Sequence, residues 1–115
     1  MNELKSDTYS IWYDAEAGTI YCKGTLRLRG IPDYQPVAQL FTQVIEKEPA
    51  NLTLDVTGLE FLNSSGIHVL SKFIIGVRQK KTIEMLMRCS NEIPWQGKSL
   101  KNVQRLMPAM QTEWV

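Results

Sequence analysis

The feature that most limits how this chain can fold is the repeated change in the spacing of its apolar residues. Some segments have the composition or the alternation of strands. Residues 9–14 are aromatic and β-branched, residues 19–28 and 52–56 alternate apolar with polar side chains, and residues 83–87 form a further short apolar run. Others repeat apolar residues every three or four positions, as helices do: residues 36–48, 65–80 and 99–107. Strands that alternate with helices pair in parallel through right-handed crossovers.

The predicted order is therefore β-β-α-β-α-β-α, with an antiparallel hairpin first, because a Gly18 turn joins the first two strands. This order indicates an α/β fold with a mixed β-sheet and helices packed on one face. Residues 31–36, 57–62 and 90–98 are expected to be loops, the last of them carrying Trp95. The tail, residues 110–115, is compatible with a last strand, a turn or a frayed end.

The size and charge of the chain exclude several classes of protein. Its 115 residues predict a single domain over residues 1–115. The formal net charge of +1 gives no sign of nucleic-acid or membrane-surface binding. No apolar run approaches the roughly 20 residues of a membrane span, and the first residues do not resemble a signal peptide, so a cytoplasmic location is expected. Cys22 and Cys89 are not in a CxxC pattern, and neither a metal nor a cofactor is expected.

Residues 54–70 hold the most informative pattern, which is a strand, a short loop, Asn63-Ser64-Ser65-Gly66 and a helix. We expect Ser64 or Ser65 at the N-cap of that helix, where its hydroxyl accepts a backbone hydrogen bond. The free N–H groups and the dipole at a helix N-terminus also favour a phosphate. Taken alone, a serine before a helix is usually only a cap.

The longer pattern, from Leu54 to Ile67, resembles the signature of STAS domains, the bacterial family of anti-sigma factor antagonists. Gly24-Thr25-Leu26 is similar to the Gly-Glu-Leu that ends the preceding strand in that family. The resemblance implies that Ser64, or Ser65 as second choice, is phosphorylated by a serine kinase that doubles as an anti-sigma factor. It also implies that a PP2C-type phosphatase removes the phosphate, and that the unphosphorylated form sequesters the kinase.

Two positions depart from the family pattern. Asn63 replaces the family's aspartate before the phosphorylated serine, and Arg27 replaces a frequent acidic residue after Gly-Glu-Leu. Arg27 could pair with a phosphate if it lies near the turn, or it could be a solvated charge at the end of a strand. Asn63 favours to some degree an alternative in which the domain is a constitutive, unphosphorylated subunit of a lipid-transport or signalling complex.

The predicted partner-binding surface combines the turn with the outer stripe of the following helix. Its residues are Asn63, Gly66, Ile67, His68, Lys72, Ile75 and Arg27. His68 follows Ser64 by four positions, but a Ser-His pair without an orienting third group does not make a catalytic triad. No Gly-rich phosphate loop supports a nucleotide-binding domain. The chain is therefore expected to be a protein-binding regulator and not an enzyme.

Overall fold

The computed structural model describes residues 3–115, which form one six-stranded sheet and four helices. The strands are β1 (Glu3–Lys5), β2 (Tyr9–Asp14), β3 (Thr19–Leu26), β4 (Asn51–Leu62), β5 (Glu84–Cys89) and β6 (Gln111–Trp114). The helices are α1 (Gly30–Asp33), α2 (Gln35–Glu46), α3 (Ser64–Lys80) and α4 (Pro94–Gln104). In space the strands follow their order in the chain, from β1 to β6.

The sheet is mixed, as predicted. The strands β1, β2 and β3 pair antiparallel, while β3, β4, β5 and β6 pair in parallel. Right-handed crossovers that all step in one direction place their helices on the same face of a sheet. The buried side chains agree, because Ile20, Leu54 and Met87 on three neighbouring strands share one core with Val44 of α2 and Ile74 of α3.

Several element boundaries differ from those predicted. The predicted loop 57–62 is the second half of β4, which stays paired with β3 through two register shifts. These irregularities break the strict alternation that marks a strand. Within the predicted loop 31–36, residues Gly30–Asp33 form one helical turn. The predicted loop 90–98 is wrong in its second half, because α4 begins at Pro94, where proline occupies the first turn. The tail forms β6, and β1 was not predicted.

Gly24 marks the position where the backbone itself demands glycine. Its φ is +92°, and a Cβ at this position would overlap the backbone of Thr8 and Tyr9. Tyr9 is its direct partner in β2. The glycine of the Gly24-Thr25-Leu26 motif therefore lets β3 approach β2 closely just before the candidate site.

Candidate functional site

The turn between β4 and α3 is held by the side chain of Asn63. This residue has extended backbone angles (φ −81°, ψ 178°), and its Oδ1 accepts a hydrogen bond from the N–H of Gly66 at 3.0 Å. Asn63 is thus the N-cap of α3, and the prediction that Ser64 or Ser65 caps the helix is wrong. Asparagine and serine are both favoured at this position, so residue type alone did not separate them.

Both polar atoms of the Asn63 side-chain amide make hydrogen bonds. Its Oδ1 also accepts a hydrogen bond from the Tyr34 hydroxyl at 2.6 Å, and its Nδ2 donates to the Leu28 carbonyl at 2.8 Å. A carboxylate could accept at the first position but has no proton to donate at the second. The structure therefore gives a physical reason for asparagine here: it ties the segment after β3 to the start of α3.

Tyr34 is the residue of this network that the sequence did not reveal. It is 1% exposed, and burial raises the pKa of its phenol above the usual value of 10.0. The hydroxyl therefore stays protonated at neutral pH and can act as a donor. Its position at the junction of α1 and α2 looked like a loop in the sequence, and a loop tyrosine carries no pattern that predicts burial.

Ser64 is the first residue of α3, and its side chain is exposed. Because Asn63 fills the cap, the Ser64 hydroxyl makes no hydrogen bond within residues 3–115. Ser65, the second residue of the helix, is half-buried. The N–H groups of Ser64 and Ser65 have no acceptor within the helix, as at every helix N-terminus. The turn therefore combines a free hydroxyl with free backbone donors.

Gly66 and Ile67 contribute packing beneath the turn. Gly66 is buried, and a Cβ there would lie 2.7 Å from the Tyr34 hydroxyl and would overlap the Leu62 side chain. Ile67 is half-buried and packs against the core. Glycine at position 66 is therefore what allows α3 to start so close to Tyr34.

The outer stripe of α3 has the exposure that the sequence predicts. The side chains of His68, Lys72, Ile75 and Gln79 are all exposed. His68 and Lys72 line one wall of a groove of about 640 Å³ between α2 and α3. The rings of Phe41 and Phe73, which also line it, lie 4.4 Å apart between centroids. Along α3, the stripe and the groove both begin at His68, one turn after Ser64.

Arg27 is placed at the end of β3 with its guanidinium carbon 4.5 Å from the centroid of the Phe61 ring. It is exposed, and Phe61 lies in β4 two residues before Asn63. Arg27 thus sits beside the last residues of β4, but it contacts an aromatic face there.

The first turn of α4 supports the strand that leads into the turn. The indole N–H of Trp95 donates to the Leu59 carbonyl at 3.1 Å. Gln96, fully buried, donates to the carbonyls of Val56 and Leu59 and accepts from the N–H of Ser90. The β4–β5 pairing ends at Asp55. The side chains of Trp95 and Gln96 provide hydrogen-bond partners for the backbone groups of β4 and Ser90 that lie beyond this point. Pro94, as a first-turn proline, was the available signal for this helix start.

No group of three or more His, Cys, Asp or Glu side chains among residues 3–115 is arranged to hold a metal ion. None of the helices described is long and apolar enough to cross a membrane.

Comparison with known proteins places the fold and the turn in a family. The sequence profile of the STAS domain matches residues 34–95, which is more than half of the chain and includes Tyr34, Asn63 and Ser64. The chain therefore belongs to the STAS domain family. No curated protein sequence matches it significantly.

Solved structures show the same architecture over the whole chain. The crystal structure of apo-SiaC from Pseudomonas aeruginosa has a TM-score of 0.73 at 15% identity, over 99% of this chain and 98% of the other. A chain in the crystal structure of the diguanylate cyclase SiaD in complex with its activator SiaC, from the same organism, has a TM-score of 0.75 at 12% identity, with both chains fully covered. At these identities the likeness establishes the fold.

Proposed function

We propose that this STAS domain is a non-catalytic regulator that binds a protein partner through the surface around Ser64, and that phosphorylation of Ser64 switches the binding. In this proposal an anti-sigma-type serine kinase is the partner of the unphosphorylated form, and a PP2C-type phosphatase restores that form. The observation that supports it best is the exposed Ser64 hydroxyl, which the Asn63 cap leaves without a structural role.

A phosphate on Ser64 would change the surface without disturbing the fold. It adds a charge of about −1.5 to −2 at neutral pH. The positive end of the α3 dipole and the free N–H groups of Ser64 and Ser65 favour that charge. The groove wall of His68 and Lys72 begins one turn further along. A partner that uses this surface would therefore meet a new anionic group, while the core below stays packed.

The structural relatives support regulation by protein binding in a general way. SiaC is named as the activator of a diguanylate cyclase and is found in complex with it. A protein of this fold can thus act on an enzyme by binding it. The identity of the partner of this chain is part of the proposal.

The test is phosphate transfer to the purified chain. The protein is incubated with ATP and, in turn, each purified anti-sigma-type serine kinase of its source organism, and the intact mass is measured. We expect one added phosphate in the wild-type chain and in Ser65→Ala, and none in Ser64→Ala. Transfer to no residue, or transfer that survives Ser64→Ala, contradicts the proposal.

The second candidate function is a constitutive, unphosphorylated subunit of a lipid-transport or signalling complex. Asn63 favours it, because the turn is held by an amide where the family has a carboxylate. The two candidates differ in how binding responds to charge at position 64. A partner whose affinity is the same for wild type, Ser64→Ala and Ser64→Asp supports the constitutive subunit, whereas loss of binding with Ser64→Asp alone supports the switch.

A further inference from the structure

Much of the positive charge of this chain is concentrated on two neighbouring helices, α3 and α4. Residues 64–80 and 94–105, which contain these helices, include no Asp or Glu. They hold six of the chain's 13 basic residues, and all six side chains are exposed: Lys72, Arg78, Lys80, Lys98, Lys101 and Arg105. The rest of the chain has seven basic residues against 12 acidic ones. The net charge of +1 therefore does not reveal this strongly basic surface, here called the basic face.

The dipoles of the two helices account for only part of this pattern. Cations are favoured in the last turn of a helix and acids in the first, and Arg78, Lys80 and Lys101 do lie in last turns. Lys72 and Lys98 do not, and the first turns of both helices contain no acid. The neighbouring helix α2 has no basic residue in its last turn. The basic face is therefore a property of α3 and α4 and not of the helix layer in general.

The cations of the basic face are not neutralised by carboxylates of the same chain. The ion pairs formed among residues 3–115 all involve Arg88 of β5, which is not part of this face. The Nη1 of Arg78 donates to the Leu106 carbonyl at 3.1 Å, which joins the end of α3 to the segment after α4. Like charges grouped on one surface repel one another, and they attract an anionic partner. The two helices thus form one surface suited to an anion.

The groove between α2 and α3 borders the basic face. The rings of Phe41 and Phe73 are buried at its floor, and Ile31, 45% exposed, lines it as well. Lys72 and Lys80 line it from α3, which runs for 17 residues, or roughly 25 Å. Neither a flat lipid surface nor a nucleic-acid backbone can fill a recessed apolar floor, whereas an amphipathic helix can place a row of apolar side chains there. The groove therefore favours a protein as the anionic partner.

We propose that the α2–α3 groove and the basic face together bind an acidic amphipathic helix of the protein partner. The apolar residues of that helix lie on the floor of the groove, and its carboxylates face Lys72 and Lys80. Glu46 lines the groove from α2, so the carboxylates of the bound helix belong on the α3 side. The inference rests on the proposed binding of a protein partner, but not on the phosphorylation of Ser64.

The test is the binding of a synthetic, fluorescently labelled peptide to the purified full chain, measured by anisotropy. The peptide forms about 18 residues, or roughly 27 Å, of helix, with leucine at helical spacing on one side and glutamate among alanines on the other. At about 10 mM salt, where screening acts over roughly 30 Å, we expect saturable binding that weakens at least about tenfold by about 150 mM. Two matched peptides, one with glutamine for glutamate and one with glutamine for leucine, should each bind at least about tenfold more weakly.

Variants of the chain locate the bound peptide. Lys72→Glu should weaken binding at least about fivefold, whereas Lys5→Glu, the same change at an exposed position of β1, should have almost no effect. Lys101→Glu on α4 should fall between these two. Glu46→Gln should strengthen binding about threefold, and Glu60→Gln, at an exposed position of β4, should not. A gain of affinity cannot come from loss of folding.

Phosphatidylglycerol vesicles and a DNA duplex of about 20 base pairs test the other polyanions. Tighter binding of either than of the acidic peptide would overturn the inference. So would equal binding of the leucine-free peptide, equal effects of Lys72→Glu and Lys5→Glu, or no saturable binding of the acidic peptide up to about 1 mM. The assay contains neither kinase nor ATP, so phosphate transfer to Ser64 can succeed where peptide binding fails, and the two proposals are tested separately.

Discussion

Asn63 is one of the two positions at which this chain departs from the STAS signature, and its hydrogen bonds give a geometric reason for the departure. One amide accepts from Gly66 and Tyr34 and donates to Leu28. The donated bond is the part that an aspartate cannot make. The capping function, in contrast, is shared by both residue types. Asn63 therefore has a structural role, which is distinct from the proposed phosphorylation of Ser64 next to it.

Asn63→Asp should lower the free energy of unfolding by about 1 kcal/mol or somewhat more, because a carboxylate oxygen would face the Leu28 carbonyl with no hydrogen between them. Urea unfolding measures the change. Asn91→Asp makes the same substitution at an exposed position and should leave stability nearly unchanged. An Asn63→Asp chain as stable as wild type would show that the turn does not depend on the bond to Leu28.

The sequence predicts the position of this turn but not its hydrogen bonds. Asn-Ser-Ser-Gly after a strand and before an apolar helical stripe is a local pattern, and the turn lies where that pattern places it. Tyr34 reaches Asn63 from 29 positions away. Such a contact depends on how α1 and α2 pack over the sheet, and no spacing rule within one segment can reveal it.

At the scale of single elements, α4 begins at Pro94 and not at the predicted Ser99. The turn that the prediction left out has a structural role. The segment before Ser99 lacks a clear apolar stripe. The first turn of α4 nevertheless supplies Trp95 and Gln96 to the buried carbonyls of β4 that β5 no longer pairs with. Helix periodicity identifies residues that face a core over several turns. It cannot identify a single polar side chain that is buried because two strands separate next to it.

Gln96→Leu should lower the free energy of unfolding by about 3 kcal/mol, because it leaves the Ser90 N–H and the Val56 carbonyl buried without their partner. The matched control is Gln104→Leu in the same helix, where only a 3.5 Å contact to the Met110 carbonyl is lost. That change should cost less than about 1 kcal/mol. If both variants lost the same free energy of unfolding, the hydrogen bonds of Gln96 would contribute nothing measurable to stability.

Across the whole molecule, the sequential strand order makes β6 the last and shortest of the parallel strands, held by β5 alone. Central strands such as β3 have partners on both sides. Stability within a protein is uneven, and short edge elements open at lower free energy than the centre of a sheet. The two cysteines report on these two places, since Cys22 lies in β3 and Cys89 ends β5 beside β6.

Both thiols should be unreactive in the native chain at about pH 8. Burial, with a smaller contribution from the charge of Asp55, raises the pKa of Cys22 and of Cys89 from 9.0 to about 12. A thiol whose pKa is raised by folding stabilises the folded state fully below pH 9 and loses that contribution as the pH rises from 9 towards 12. Thermal unfolding followed between about pH 8 and pH 11 should therefore show a falling midpoint, and the fall should be smaller in the double variant Cys22→Ala/Cys89→Ala.

At urea concentrations below the unfolding transition, the two thiols should react with a thiol reagent at different rates. Cys89 pairs with Trp114 of β6, and the N–H of Val115, the residue after β6, donates to the Cys89 carbonyl. We expect the release of this edge to expose Cys89, whereas exposure of Cys22 needs the centre of the sheet to open. We expect Cys89 in the Cys22→Ala chain to be labelled by a thiol reagent at least about tenfold faster than Cys22 in the Cys89→Ala chain. Each rate is compared at equal global stability, measured by urea unfolding of the same variant. Equal labelling rates would show that the sheet opens as one unit, because β6 would then be no less stable than the strands that position Asn63 and Ser64.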